Sequence, residues 1–266
     1  MKYIPSDSSL RNDIKHYWIV DNRKKMFKTQ ERVTGYPGLT PDLMIPLKGS
    51  FSFETEGQFF KYNEPVIFNH IKDKVYLHTS LLESFVIVQF QSRGISSLLN
   101  FTSLGAAEIM KANICHPSYV FGNEFDSMKA SLSNKEPQQI ADTLDEFFMQ
   151  KMSSLSTGFL SEMIDELPVS TGLQDIRSIT KYSYSSVERY FKKETGMSPK
   201  KYLSLRRFKL AFEEFCTTSN DDWIYFVNKY NYYDQSHFIK EIKKYAGLTP
   251  SQLLSSSAFI KYRPIN

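Results

Sequence analysis
Hydrophobic and polar positions follow two different rhythms along this chain. From Val33 to about Phe90, short runs rich in Val, Ile, Phe and Tyr ("PDLMIPLKGSFSFETEG", "QFFKYNEPVIFNH", "KVYLHTS", "ESFVIVQFQ") are broken by Gly, Pro and Asn. Runs of this length, split by turn residues, predict the strands of an antiparallel sandwich or barrel. Phe51, Phe53, Phe59 and Phe60 are expected in its core or lining. After Gly94 the rhythm becomes helical. "ISSLLNF", "SLGAAEIMKANI" and "EPQQIADTLDEFFMQKM" read as helices, and in the last of them Ile140, Leu144, Phe147 and Phe148 share one face. "SSLSTG", Ser153 to Gly158, is small and polar enough to be a linker. Everything beyond it reads as helical.

The helical part repeats itself. "VERYFKKETGMSP" from Val187 and "FIKEIKKYAGLTP" from Phe238 superimpose at a constant shift. In each copy an apolar residue (Val187, Phe238) is followed four positions later by another (Phe191, Ile242), which fixes the core side of a helix. Two basic residues follow, then Gly196 or Gly247 as C-cap, then Ser198-Pro199 or Thr249-Pro250 as N-cap and first turn of the next helix. A shorter helix, "GLQDIRSITK" or "DDWIYFVNKY", precedes each copy across a tight turn. Helix, turn, helix is a unit whose second helix can enter a major groove. Asp234 is a good N-cap for the second such helix, with Phe238, Ile242 and Tyr245 inward. Gln235, Ser236, His237, Ile239, Lys240 and Lys243 are expected on its outward side.

Charge sharpens this picture. From Pro168 to the end there are 16 Lys and Arg against 9 Asp and Glu, a balance of +7, whereas Met1 to Leu167 carries −3. A basic domain joined to a slightly acidic one raises the expectation of a nucleic-acid partner. No apolar run approaches the roughly 20 residues that cross a bilayer, and "MKYIPSDSSLRNDIKHYW" lacks the apolar stretch of a signal peptide, so a cytoplasmic protein without membrane contact is expected. Cys115 and Cys216 stand far apart with no CxxC spacing, which argues against a disulfide framework or a zinc module. His70 and His78 could share a strand face, but no third ligand follows at matching spacing. No GxSxG, Walker loop, GxGxxG or HExxH occurs. Neither a catalytic residue, a metal nor a cofactor is expected.

The segments "SVERYFKKETGMSPKKYLSLRRFKLA" and "YNYYDQSHFIKEIKKYAGLTP", joined by the helix from Pro199 to Cys216, resemble the AraC/XylS family of bacterial transcription regulators. The resemblance implies a DNA-binding domain with two recognition helices in successive major grooves of double-stranded DNA, held by a linker helix. It also implies a separate N-terminal sensing or dimerising domain, here only faintly similar to the family's cupin-like β-barrels through "YPGLTPDLMIPLKG" and "VIVQFQSRGISSLLNF". The fold class is therefore α+β. A cupin-like β-barrel or sandwich with following helices is expected over 1–156, and an all-α domain with two helix-turn-helix units over 157–266. The chain departs from the family at Arg177 and Lys181, where a small Ala and a turn Gly are usual, and at Asn231, a milder replacement of the second turn Gly.

Arg189 matches the family's DNA-reading arginine; it lies two residues from Val187 and two from Phe191, so it points away from the core. The bland alternative pairs it with Asp175 or Glu194. Tyr184, Ser185 and Glu188 open or share its face, Tyr233, Gln235, Ser236 and His237 open the second recognition helix, and Lys192, Lys193, Lys240, Lys243 and Lys244 are phosphate candidates. The alternative for His237 is a structural cap, and Arg207 could be structural or contact phosphate. The resulting expectation is a sequence-specific regulator controlled by a ligand or partner at the N-terminal domain. RNA polymerase, a small-molecule effector and a second copy of the chain are its other candidate partners. The rival is a small-molecule-binding protein or cupin-type enzyme whose helical domain serves assembly.

Overall fold
The computed structural model of the chain describes residues 1–21, 33–55, 57–68, 74–78, 81–91, 114–151, 160–218 and 221–255. The helix expected over 95–101, all but the last residue of the one expected over 103–114, the linker at 153–158 and His70 lie outside them; Ile114 is in a strand instead of a helix. Among the described residues the N-terminal half holds ten strands: β1 Lys2–Tyr3, β2 Ile14–Asp21, β3 Val33–Gly35, β4 Asp42–Gly49, β5 Phe51–Thr55, β6 Gln58–Tyr62, β7 Val66–Phe68, β8 Val75–His78, β9 Leu82–Phe90 and β10 Ile114–Cys115. All their ladders are antiparallel, in one sheet of order β1-β2-β9-β4-β7-β10 and a second of order β3-β8-β5-β6. The sandwich is therefore as the turn-broken runs predict. Its first strands are an addition, since β2 is not among the expected elements.

The larger sheet is apolar on both faces because successive side chains alternate. On β4 and β9, Leu43, Ile45, Val86, Val88 and Phe90 join one core, which the helices α1 Ser118–Phe121, α2 Glu124–Ser131 and α3 Pro137–Lys151 close with Phe121, Phe125, Ile140, Leu144 and Phe148. Met44, Val66 and Phe68 face the other way and meet Phe51, Phe53 and Val75 of the smaller sheet. The hairpin between β4 and β5 requires glycine. Gly49 has φ +99°, and a Cβ there would lie 2.1 Å from the Leu81 carbonyl oxygen. Phe59 and Phe60 correct the expectation of a core role. They sit on the edge strand β6, 65% and 39% exposed, and the Phe59 ring rests against His78.

The helical half runs α4 Leu160–Glu166, α5 Leu173–Thr180, α6 Tyr184–Thr195, α7 Pro199–Thr218, α8 Trp223–Lys229, α9 Gln235–Ala246 and α10 Pro250–Ser255. Its core gathers Ile176, Val187, Phe191, Tyr202, Leu205, Phe208, Phe212, Phe215, Phe226, Phe238, Ile242 and Tyr245 around the long helix α7. The three- and four-residue spacings seen in the sequence are the inward faces of α6 and α9. Arg206 is buried and donates to the carbonyls of Asp165 and Leu167, which ties the end of α4 to α7. The two halves also touch. Leu39, between β3 and β4, is buried in the helical core, and Tyr36 packs its ring 4.8 Å from that of Phe212.

Candidate nucleic-acid interface and the cavity behind it
Each recognition helix begins with a capped, exposed end. Ser183 Oγ accepts from the Ser186 backbone N–H at 3.2 Å at the head of α6, and Asp234 Oδ1 accepts from the His237 backbone N–H at 2.6 Å at the head of α9. These caps satisfy amides that the helix itself leaves open. Both helices end on a left-handed glycine, Gly196 (φ +66°) and Gly247 (φ +79°). The turns before them differ. In the first unit Lys181 follows α5 directly in the left-handed region (φ +60°), two residues before the cap. In the second the left-handed residue is Asn231 (φ +54°), three residues before the cap. The first turn is thus the tighter one, with two residues between helix end and cap against four in the second.

On α6, Tyr184, Ser185, Arg189, Lys192 and Lys193 are exposed, and Glu188 is half-buried. Both carboxylates that could have engaged Arg189 are used elsewhere. Asp175 accepts from the Gly172 N–H at 2.7 Å, and buried Glu194 accepts from the Leu160 N–H at 3.0 Å. The Arg189 guanidinium lies 5.4 Å from the centre of the Tyr190 ring instead. Lys192 is engaged one turn back with Glu188 at 2.9 Å, an exposed pair of little energetic weight.

At the second helix, Tyr233 is 90% exposed, Gln235, Ser236, Lys240, Lys243 and Lys244 are exposed, and His237 is half-buried. Ile239 departs from the expected outward set. It packs against the helical core, because that core spreads sideways under α9. The sequence alone leaves Arg207 undecided and does not single out Glu241. Arg207, on α7, forks onto Glu241 of α9, Nε to Oε1 at 3.1 Å and Nη2 to Oε2 at 3.0 Å, and Ser204 Oγ donates to the same Oε2 at 2.9 Å. Arg207 is therefore a structural link between the linker helix and the second recognition helix. Lys244 and Lys201 both approach the Tyr245 ring, at 4.9 and 4.8 Å.

Between the halves lies a cavity of about 390 Å³ lined from β2 by Lys15 and His16, from β4 by Asp42, from β9 by Gln89 and from α7 by Phe208, Lys209, Phe212 and Glu213. The buried His16 Nε2 has no hydrogen-bond partner among the described residues. Burial, with Lys2 and Lys15 nearby, pushes His16 down to about 4, so its ring is neutral. Lys15 is also lowered, first by burial and then by Lys209. Asp42 accepts from Gln89 Nε2 at 3.2 Å, yet burial pushes it up to about 6, against the pull of Gln89, Lys209 and Lys15. No sequence spacing announces this cavity, since its walls come from strands and a helix roughly two hundred residues apart. Burial holds both thiols in the neutral form, Cys115 at about 11 and Cys216 at about 12. His78 meets Glu54 at 3.1 Å, and among the described residues no cluster of three His, Cys, Asp or Glu side chains is placed to hold a metal ion.

Residues 178–256 match the family model described as a helix-turn-helix domain, of the AraC type. No curated protein matches the chain. The chain is similar to solved structures of ToxT from Vibrio cholerae (10% identity, 90% of this chain and 98% of that one, TM-score 0.46) and of unsaturated fatty acid-bound wild-type ToxT from Vibrio cholerae strain SCE256 (12%, 90% and 94%, 0.43). It is also similar to the AraC-like transcriptional activator CuxR (12%, 75% and 74%, 0.25). Likeness this weak says nothing of what the chain binds. The matched domain model takes in both recognition helices and the helix that joins them, and on that ground residues 178–256 form a DNA-binding helix-turn-helix domain of the AraC type.

Proposed function
We propose that the two recognition helices read separate halves of one asymmetric site, and that a small acidic effector in the cavity between the halves sets the output. What supports the first part is the pairing of like scaffolds with unlike faces. Tyr184, Ser185, Glu188 and Arg189 read in one unit, and Tyr233, Gln235, Ser236 and His237 in the other. Lys192, Lys193, Lys240 and Lys243 meet phosphate. Arg suits guanine and Gln suits adenine in the major groove. The α7 helix between the units sets their half-sites about one helical turn, roughly 10 base pairs, apart.

The second part rests on the cavity. Its volume is of the size that holds a small ligand, and Lys15, lowered first by burial and then by Lys209, faces that second cation across the lining with Glu213 and Asp42 only partly offsetting it, so that an anion would relieve the pair. The effector would then sit against the linker helix and not inside the barrel. This reading places the protein in the cytoplasm, with RNA polymerase and a second copy of the chain as further partners to test. The experiment is a base-by-base binding profile. Arg189→Ala should cost about 1–3 kcal/mol at one end of the site and Gln235→Ala should act at the other. If both lose discrimination at the same base pairs, or neither changes the profile, two-helix readout is wrong.

A further inference from the structure
We infer that Glu241 and Arg207 are positioning residues that fix the His237 ring with Nδ1 as acceptor and a hydrogen on Nε2, so that it offers DNA a donor and not a lone pair. The inference rests on the reading that His237 faces base edges. It adds which atom does the reading and what holds it there.

Three contacts define the ring. The Tyr233 backbone N–H donates to His237 Nδ1 at 3.3 Å, so Nδ1 is the acceptor and carries no hydrogen. A doubly protonated ring would set two donors against each other at that point. The other nitrogen, Nε2, faces Glu241 Oε2 at 3.8 Å. That gap is short enough for the carboxylate charge to favour a proton on Nε2, and too long to consume the proton in a hydrogen bond. Finally, the ring stands edge-on to Tyr232, centroids 5.4 Å apart, which limits its rotation. The His237 side chain is 41% exposed, so the Nε2–H is within reach of a partner from outside.

Glu241 can act this way only because it is held. It is nearly buried, 8% exposed at its side chain, and one turn behind His237 on the same helix. The Arg207 fork and Ser204 Oγ occupy both of its oxygens, and Arg207 in turn lies 4.8 Å over the Tyr232 ring. The Tyr245 hydroxyl stands 3.0 Å from Ser204 Oγ; with that oxygen donating to Glu241, Tyr245 supplies the proton between them. The carboxylate is thereby fixed in place. The base edges that suit a lone N–H donor are the major-groove acceptors: purine N7, guanine O6 and thymine O4.

The test uses the full chain. Long-range proton–nitrogen correlation spectra of the imidazoles, with the His237 signals assigned by their loss in His237→Gln, should show the Nε2–H tautomer in the free wild type and a mixture in Glu241→Gln. In base-by-base profiles, Glu241→Gln and His237→Ala should lose about tenfold discrimination at one shared base pair, distinct from the one that Gln235→Ala affects. A wild-type ring protonated on Nδ1 overturns the inference, and so does a Glu241→Gln profile that keeps the His237 base pair intact. An unchanged His237→Ala profile also overturns it, while a Gln235→Ala change at its own base pair would leave two-helix readout standing. If circular dichroism shows Glu241→Gln unfolded, Arg207→Lys takes its place with the same two readouts, since it keeps the opposing charge and loses one arm of the fork.

Discussion
Lys181 pays a backbone cost that its second-unit counterpart largely avoids. Both sit in the left-handed region, at φ +60° for Lys181 and +54° for Asn231, but Asn tolerates that region far better than a long side chain does. Lys181→Gly should therefore stabilise the chain by about 1 kcal/mol, read as a higher denaturant midpoint at unchanged slope. A loss of stability would mean that the Lys181 side chain makes a compensating contact. Asp42 carries a different signature. Its carboxyl is pushed from an ordinary 3.8 up to about 6, so between those values the folded state binds more protons than the unfolded one. Its contribution to stability therefore falls as pH rises from about 4 to 6 and stays low above. Asp42→Asn removes that loss. The variant should match wild type below pH 4 and exceed it by roughly 2–3 kcal/mol at pH 7, since a tenfold change in proton affinity is worth about 1.4 kcal/mol. His16, held down at about 4, acts in the opposite sense but is common to both chains, so the difference isolates Asp42. Equal stabilities at pH 7 would show that Asp42 is not desolvated.

Among the elements, those with local punctuation are the ones the sequence announces. The caps at Ser183, Asp234, Gly196 and Gly247, with inward spacings of three and four, delimit α6 and α9 without help from the rest of the fold. Strand β2 escapes such a reading because "IKHYWIVD" buries residues on both faces and shifts register between Ile14 and His16, so it shows no clean alternation. Phe59 and Phe60 mislead for the opposite reason, since apolarity says nothing about being on an edge strand. At the site, the exposed faces of α6 and α9 are legible, while Ile239, the Arg207 fork and the cavity depend on how helices cross. The Arg207–Glu241 link gives the test at this scale. Removing Arg207 leaves a buried carboxylate without its fork, so Arg207→Ala should cost about 3 kcal/mol or more, and adding Glu241→Ala should recover part of that loss. Additive losses in a double-mutant cycle would show that the two side chains do not depend on each other.

At the scale of the whole molecule, charge and packing make separate demands on the two halves. The −3 and +7 balances put attraction to phosphate in the half that carries both recognition helices. The apolar contacts run the other way, because Leu39 is buried in the helical core and Tyr36 stacks near Phe212, so the N-terminal half also supports the linker helix. A fragment of residues 157–266 separates these roles. It keeps α4, whose Leu160 N–H is held by Glu194, and the exposed lysines of both recognition helices, so it should fold and bind DNA. With five to eight phosphates contacted, log affinity should fall against log salt with a slope of about −0.9 per contact, roughly −4.5 to −7, in the fragment and the full chain alike. The fragment should also be less stable than the same domain in the full chain by about 2 kcal/mol, the worth of one buried leucine. Leu39→Ala in the full chain should reproduce most of that loss while leaving the slope unchanged. A slope near zero would remove the electrostatic basis of DNA binding. A slope that steepens or flattens on deletion would mean that the N-terminal half also touches phosphate, and the division of labour drawn from the charge balance would be wrong.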